Sequence, residues 1–179
     1  MIGDSLTAGY GLAEIDSFPA QMERSLSALN RDVRIINSGV SGDTSAGGRA
    51  RLAWSLAENP DAVILELGAN DGLRGLNPKK TEANLRAMIR EIAKRKIPIL
   101  LTGMRAPPNL GPEYELEFNE LYRRLARDHD ILFYPFFLEG VAAIPGLNQA
   151  DGIHPNAEGV AEIVSRIRPI ILQLIDEIR

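Results

Sequence analysis

Near the C-terminus, Asp151-Gly152-Ile153-His154-Pro155 sets a histidine three residues after an aspartate in a stretch with the composition of a loop. That spacing lets the carboxylate turn back and hold the imidazole Nδ1–H, which leaves Nε2 free to take a proton from a hydroxyl. A serine suited to supply it stands at the other end of the chain, in Gly3-Asp4-Ser5-Leu6. With a strand leading in and a helix leading out, its hydroxyl and N–H both lie at a helix N-terminus, where developing negative charge is favoured. A serine, a histidine and an aspartate so arranged would be nucleophile, general base and orienting group for acyl transfer from an ester. Taken singly, Ser5 also reads as an N-cap and Asp151 as a turn residue.

Two further loops carry unusual residues. Gly42 lies in the polar turn Ser38 to Thr44, where a glycine permits positive φ and close approach of a backbone N–H to a ligand. The same turn also reads as a plain entry to a helix capped by Asp43 or Thr44. Asn70, between Gly68 and Gly72, follows a wholly apolar run. Its side-chain amide could donate to an oxyanion without competing for protons, or it could be a turn asparagine. Asp71 reads as a brace for that loop. Metal chemistry is poorly supplied: the chain has no cysteine, and its other histidine, His129 in Arg127-Asp128-His129-Asp130, has the setting of a helix C-terminus. The absence of cysteine also excludes disulfides and thiolate catalysis. No phosphate-binding G-x-x-x-x-G-K-[ST], no G-x-G-x-x-G and no G-x-S-x-G elbow occurs.

The elements that must position these residues alternate along the chain. Short apolar runs at 33–36, 62–67, 97–101 and 131–134 suit central parallel strands buried on both faces. Between them the apolar spacing predicts helices over Phe18 to Leu29, Gly48 to Glu58, Thr81 to Lys94, Pro112 to Asp128 and Asn156 to Ile178, the last capped by Asn156 and kinked at Pro169. Alternation with short links implies right-handed βαβ units and one three-layer α/β domain over residues 1–179. Each chemically unusual loop follows a strand, so all of them emerge at the carboxyl edge of the sheet, where ligands bind in such folds. The chain opens directly on Ile2-Gly3, so the expectation is a first strand cut short at the N-terminus. A net charge of −4, with no basic block beyond Lys94-Arg95-Lys96, argues against a nucleic-acid partner. No apolar run approaches the ~20 residues of a membrane span, so stable membrane insertion is not expected.

Gly3-Asp4-Ser5-Leu6-Thr7-Ala8-Gly9-Tyr10-Gly11, Ser41-Gly42-Asp43-Thr44, Gly68-Ala69-Asn70-Asp71 and Asp151-Gly152-Ile153-His154-Pro155 resemble, in order and spacing, the four blocks of the SGNH (GDSL) hydrolases. Glu66 to Leu76 further resembles the bacterial arylesterase, lysophospholipase and acyl-thioesterase branch. The resemblance implies a flavodoxin-like fold with five parallel strands. It also implies Ser5 as nucleophile, His154 as base, Asp151 as its orienting group, and an oxyanion hole made by the N–H groups of Ser5 and Gly42 with the Asn70 amide. No metal or organic cofactor is implied, and the partner is a small-molecule ester or thioester. Leu73, Leu76, Met104, Leu110 and Ile153 fall on or near the active edge as candidates to line an acyl groove, or as ordinary loop packing. Arg74 and Arg105 are candidates to meet an anionic group on the substrate, or are solvated surface residues. A sugar or peptidoglycan O-acetyl esterase on the same machinery, and a non-catalytic flavodoxin-like binding module, are the alternatives. A periplasmic or secreted location is expected if a leader precedes Met1, and a cytoplasmic one otherwise.

Overall fold

A computed structural model describes residues 1–178. Its centre is a five-stranded parallel sheet in the order β2-β1-β3-β4-β5, formed by β1 (Ile2–Gly3), β2 (Ser38–Gly39), β3 (Val63–Glu66), β4 (Ile99–Thr102) and β5 (Leu132–Tyr134). The β1-to-β2 crossover runs one way along the sheet, and those from β3 to β4 and β4 to β5 run the other. Right-handed connections therefore put α2 (Phe18–Ser27) on one face, and α6 (Pro78–Lys94) and α7 (Pro112–His129) on the opposite one. The last helix, α8 (Ala157–Asp176), packs against α2, which gives a flavodoxin-like α/β/α sandwich. The apolar stripes foreseen for these helices form its core, with Met22, Leu85, Phe118 and Ile167 fully buried. Each such side chain contributes about 1.5–3 kcal/mol relative to exposure.

Local signals account for most element ends. Asn156 caps α8 by accepting the Gly159 N–H at 2.9 Å, and His129 closes α7 just before Asp130 turns left-handed. Pro169, the expected kink, lies on the exposed side of α8, and the helix continues past it. Two expectations need correction. Residues 33–36 form no strand: the ladder with β1 is made two residues later, by Ser38 and Gly39, and of the expected run only the Ile36 carbonyl bonds that side, to the Met1 ammonium at 2.7 Å. The helix expected over 48–58 is two short ones, α3 (Ser45–Ala50) and α4 (Leu52–Ser55), parted at Arg51. The Arg51 guanidinium reaches back into the sheet edge to donate to the Ser38 and Gly3 carbonyls at 2.7 and 2.9 Å.

Between β1 and β3 the chain order reverses direction along the sheet. The loops after these two strands carry Ser5 and Asn70, so both residues stand at the topological switch point, where α/β sheets open a crevice for ligands.

Candidate active site

Ser5 is the first residue of α1 (Ser5–Ala8), a single turn that leaves β1 and stops at the left-handed Gly9. The N-cap of this turn is Asp4, not Ser5: its carboxylate accepts the Leu6 N–H at 3.0 Å, which leaves the serine hydroxyl free. That hydroxyl lies 2.9 Å from His154 Nε2, although 149 residues separate the two. His154 Nδ1 lies 2.7 Å from Asp151 Oδ2. With the carboxylate facing Nδ1, the ring proton belongs there, and Nε2 accepts from the serine.

Asp151 holds its loop as well as the ring. Its Oδ1 accepts the N–H groups of Ile153 and His154, both at 3.0 Å. These backbone bonds and the imidazole lower its carboxyl to about 2, although the residue is exposed. The Tyr10 ring covers the imidazole with centroids 4.7 Å apart. Gln149 ties the two loops together by donating from Nε2 to the Tyr10 carbonyl at 2.7 Å and the Pro155 carbonyl at 2.9 Å.

Of the three donors expected for an oxyanion, Ser5 and Asn70 line one cleft with His154, whereas Gly42 is not among the residues that line it. Gly42 adopts φ +83°, a backbone conformation that favours glycine, and the turn enters α3 through Thr44, whose hydroxyl caps the helix at the Gly47 N–H. Among the described residues neither the Ser5 nor the Gly42 N–H has an intramolecular acceptor. Arg74, raised as a possible anion contact, instead donates to the Gly42 carbonyl at 3.0 Å. Asn70, in the first turn of α5 (Ala69–Leu73), donates to the Asp43 carbonyl at 3.0 Å and, over a longer 3.3 Å, to Asp4 Oδ2. An oxyanion can displace the longer bond while the shorter one keeps the amide aimed. Asp71 braces as expected: it is buried, and its two oxygens take the Ser45 N–H and the Ser45 and Thr81 hydroxyls at 2.5–2.9 Å.

A cleft of about 310 Å³ opens over Ser5, Asn70 and His154 and is walled mainly by apolar side chains. Leu73, Met104 and Ile153 line it. Leu76 and Leu110 do not. The Leu76 carbonyl is tied to the Tyr114 hydroxyl at 2.7 Å, and Leu110 turns toward Gly75. Phe136 and Leu138, beyond β5, supply walls that carried no sequence signal. Arg105 also lines the cleft, but its guanidinium is stacked 4.5 Å from the Phe136 ring and paired with Glu139 at 3.3 Å. Sequence reasoning also missed Gln149, Arg51 and Glu66, whose side chains act on residues far away in the chain.

The described residues contain no group of three or more histidine or acidic side chains placed to hold a metal ion, and no helix long and apolar enough to cross a membrane. Residues 1–161 match the model of the GDSL-like lipase/acylhydrolase family. The chain is 39% identical to esterase TesA of Pseudomonas aeruginosa over 98% of its own length and 88% of the relative's. It is 38% identical to thioesterase 1/protease 1/lysophospholipase L1 of Escherichia coli K12, over 88% of this chain and 75% of the relative. In three dimensions it resembles the psychrotrophic esterase EstA from Pseudoalteromonas sp., solved as a complex inhibited by monoethylphosphonate, with a TM-score of 0.92 and 32% identity over 98% and 96% of the two chains.

Proposed function

Because the chain belongs to the GDSL-like lipase/acylhydrolase family and is a serine ester hydrolase, we propose that Ser5 is its nucleophile, His154 its general base and Asp151 the group that orients His154. The observation that carries this reading is the line of contacts Ser5 Oγ–His154 Nε2–His154 Nδ1–Asp151 Oδ2, at 2.9 and 2.7 Å. Ser5 attacks the ester carbonyl as its proton passes to Nε2. The imidazolium then gives that proton to the departing alcohol or thiol, which leaves an acyl-serine. Water, deprotonated by the same nitrogen, releases the acid and restores the serine. The carbonyl oxygen turns negative twice in this cycle and is met by the N–H groups of Ser5 and Gly42 and by the Asn70 amide. Removing one such donor costs about 3 kcal/mol in other acyl-transfer enzymes.

The apolar cleft supports an acyl chain of short to medium length, or an aryl group, as the part of the substrate bound beside Ser5. The names of the relatives add thioesters and lysophospholipids to the classes to be tried. A fluorophosphonate probe tests the nucleophile directly: it labels wild-type protein at Ser5 and leaves Ser5→Ala unlabelled. Labelling of Ser5→Ala at the wild-type rate would remove Ser5 from the mechanism. A series of p-nitrophenyl esters, run beside an acyl thioester, a lysophospholipid and an acetylated sugar, tests the cleft. Turnover confined to acetyl groups would assign the protein to O-deacetylation instead.

A further inference from the structure

One buried acid has no part in the cycle above. Glu66 ends β3, a strand whose four residues are all buried, and its side chain has no exposure to solvent. Its Oε2 accepts the Thr7 hydroxyl at 2.8 Å and the Asp4 N–H at 3.3 Å. Its Oε1 has no partner among the described residues. The two donors stand on either side of Ser5. Gly3, just before them, has no room for a Cβ, which would overlap Thr7 Oγ1 and Glu66 Oε2. The turn that carries the serine is therefore seated on the Glu66 carboxyl.

A second buried carboxyl adjoins the first. Asp4 receives the Leu6 N–H and the Asn70 amide, and the His154 imidazole lies near it. Two neighbouring carboxyls in a low-dielectric interior do not both ionise. Asp4 has the better donors for an anion, whereas an ionised Glu66 would leave a charged oxygen with nothing to meet it. Burial, and then the Asp4 charge, push the Glu66 carboxyl well above its ordinary range. The buried phenol of Tyr122 on α7, which donates to the Leu67 carbonyl at 3.0 Å, also feels the Glu66 carboxyl. The Asp43–Arg51 pair reaches the turn through the Gly3 carbonyl.

We propose that Glu66 is a positioning residue for the nucleophile: as a neutral carboxylic acid it seats the Gly3-to-Thr7 turn on β3 and so holds Ser5 in line with His154. The inference rests on the reading of Ser5 as nucleophile. A neutral oxygen acceptor meets two demands that neither a hydrocarbon nor a carboxylate meets together. A hydrocarbon would leave the Thr7 hydroxyl and the Asp4 N–H unpaired in the core. A carboxylate would put a second negative charge behind the forming oxyanion.

The experiment compares Glu66→Gln, Glu66→Leu and Thr7→Val in the full chain, by kcat and KM on p-nitrophenyl butyrate and by the rate of fluorophosphonate labelling. Glu66→Gln keeps the acceptor and the neutrality, so its kcat stays within about twofold of wild type. Glu66→Leu loses about 10²-fold in kcat at unchanged KM, the scale of a nucleophile displaced by about 1 Å. Thr7→Val loses about tenfold, and labelling slows in parallel with kcat. Glu66→Gln as slow as Glu66→Leu, or Glu66→Leu as fast as wild type, overturns the proposal. If Glu66→Leu does not fold, the other two decide: Glu66→Gln near wild type with Thr7→Val slow supports the proposal, and any other order overturns it. Wild-type protein that takes no label at Ser5 overturns the nucleophile assignment as well, whereas labelled wild type with equal rates in all variants overturns only the role of Glu66.

Discussion

Asp151 is exposed, yet it stays ionised across any working pH, because two backbone N–H groups and the imidazole hold its carboxyl down at about 2. What orients His154 is thus built from local bonds in a five-residue loop rather than from burial. Asp151→Asn keeps an oxygen for the Ile153 and His154 N–H groups but offers Nδ1–H no charged acceptor. In a serine hydrolase of this kind that change costs roughly 10⁴-fold in kcat, because the ring takes the wrong tautomer. Steady-state kinetics at saturating ester measure the loss, and a drop of tenfold or less would reduce the site to a serine–histidine pair. Asn70 has a different kind of work. Its two N–H bonds go to a carbonyl at 3.0 Å and to Asp4 at 3.3 Å, so in the proposed mechanism the longer one is exchanged for the oxyanion. Asn70→Ala removes the donor and loses about 10²–10³-fold in kcat with KM little changed. A loss confined to KM would mean that the amide binds the ground state equally well.

At the scale of elements, two loops from opposite ends of the chain must meet within a hydrogen bond's tolerance. The single amide of Gln149 spans them, from the Tyr10 carbonyl behind α1 to the Pro155 carbonyl behind His154. Gln149→Ala should separate the loops and lower kcat by about 10–10²-fold, with Ser5 labelling slowed in proportion. Wild-type labelling would show that the strands alone hold the register. The convergence itself was legible in the sequence, because each unusual residue follows an apolar strand and a parallel sheet delivers all such loops to one edge. The parts that were not legible share a cause. Residues 33–36 have strand composition, but the ladder with β1 is made by the small residues Ser38 and Gly39, which carry no strand signal. Leu73 ends α5 and Leu76 follows three residues later; their like side chains do not tell which is wall, and in the fold Leu73 lines the cleft while the Leu76 carbonyl is tied to Tyr114. Gln149 and Glu66 look like ordinary polar residues until contacts 139 and 59 residues away give them a task.

Over the whole molecule, the buried acids Asp4 and Glu66 beside the Ser5 turn make stability depend on pH in a definite direction. Burial pushes the Asp4 carboxyl from its ordinary 3.8 up to about 6, and Glu66 well above its ordinary 4.5. With folded values above unfolded ones, the native state binds more protons, so these groups lower stability as pH rises. For Asp4 the loss begins near pH 3.8, is complete above about pH 6, and amounts to about 3 kcal/mol. For Glu66 the decline begins near pH 4.5 and continues to higher pH. Asp151 acts in the opposite sense: its contribution is present above pH 3.8 and is lost as pH falls toward about 2. The chain should therefore be most stable in mild acid and weaken toward alkaline pH. Glu66→Gln removes one of the two declining contributions, so its advantage over wild type should be small at pH 4 and grow steadily toward pH 9. Urea unfolding of both proteins at pH 4, 6, 7.5 and 9 measures that divergence. Parallel curves for the two proteins would mean that Glu66 ionises in the fold as readily as in the unfolded chain, and the support beneath the nucleophile would then be a charge, not a neutral acid.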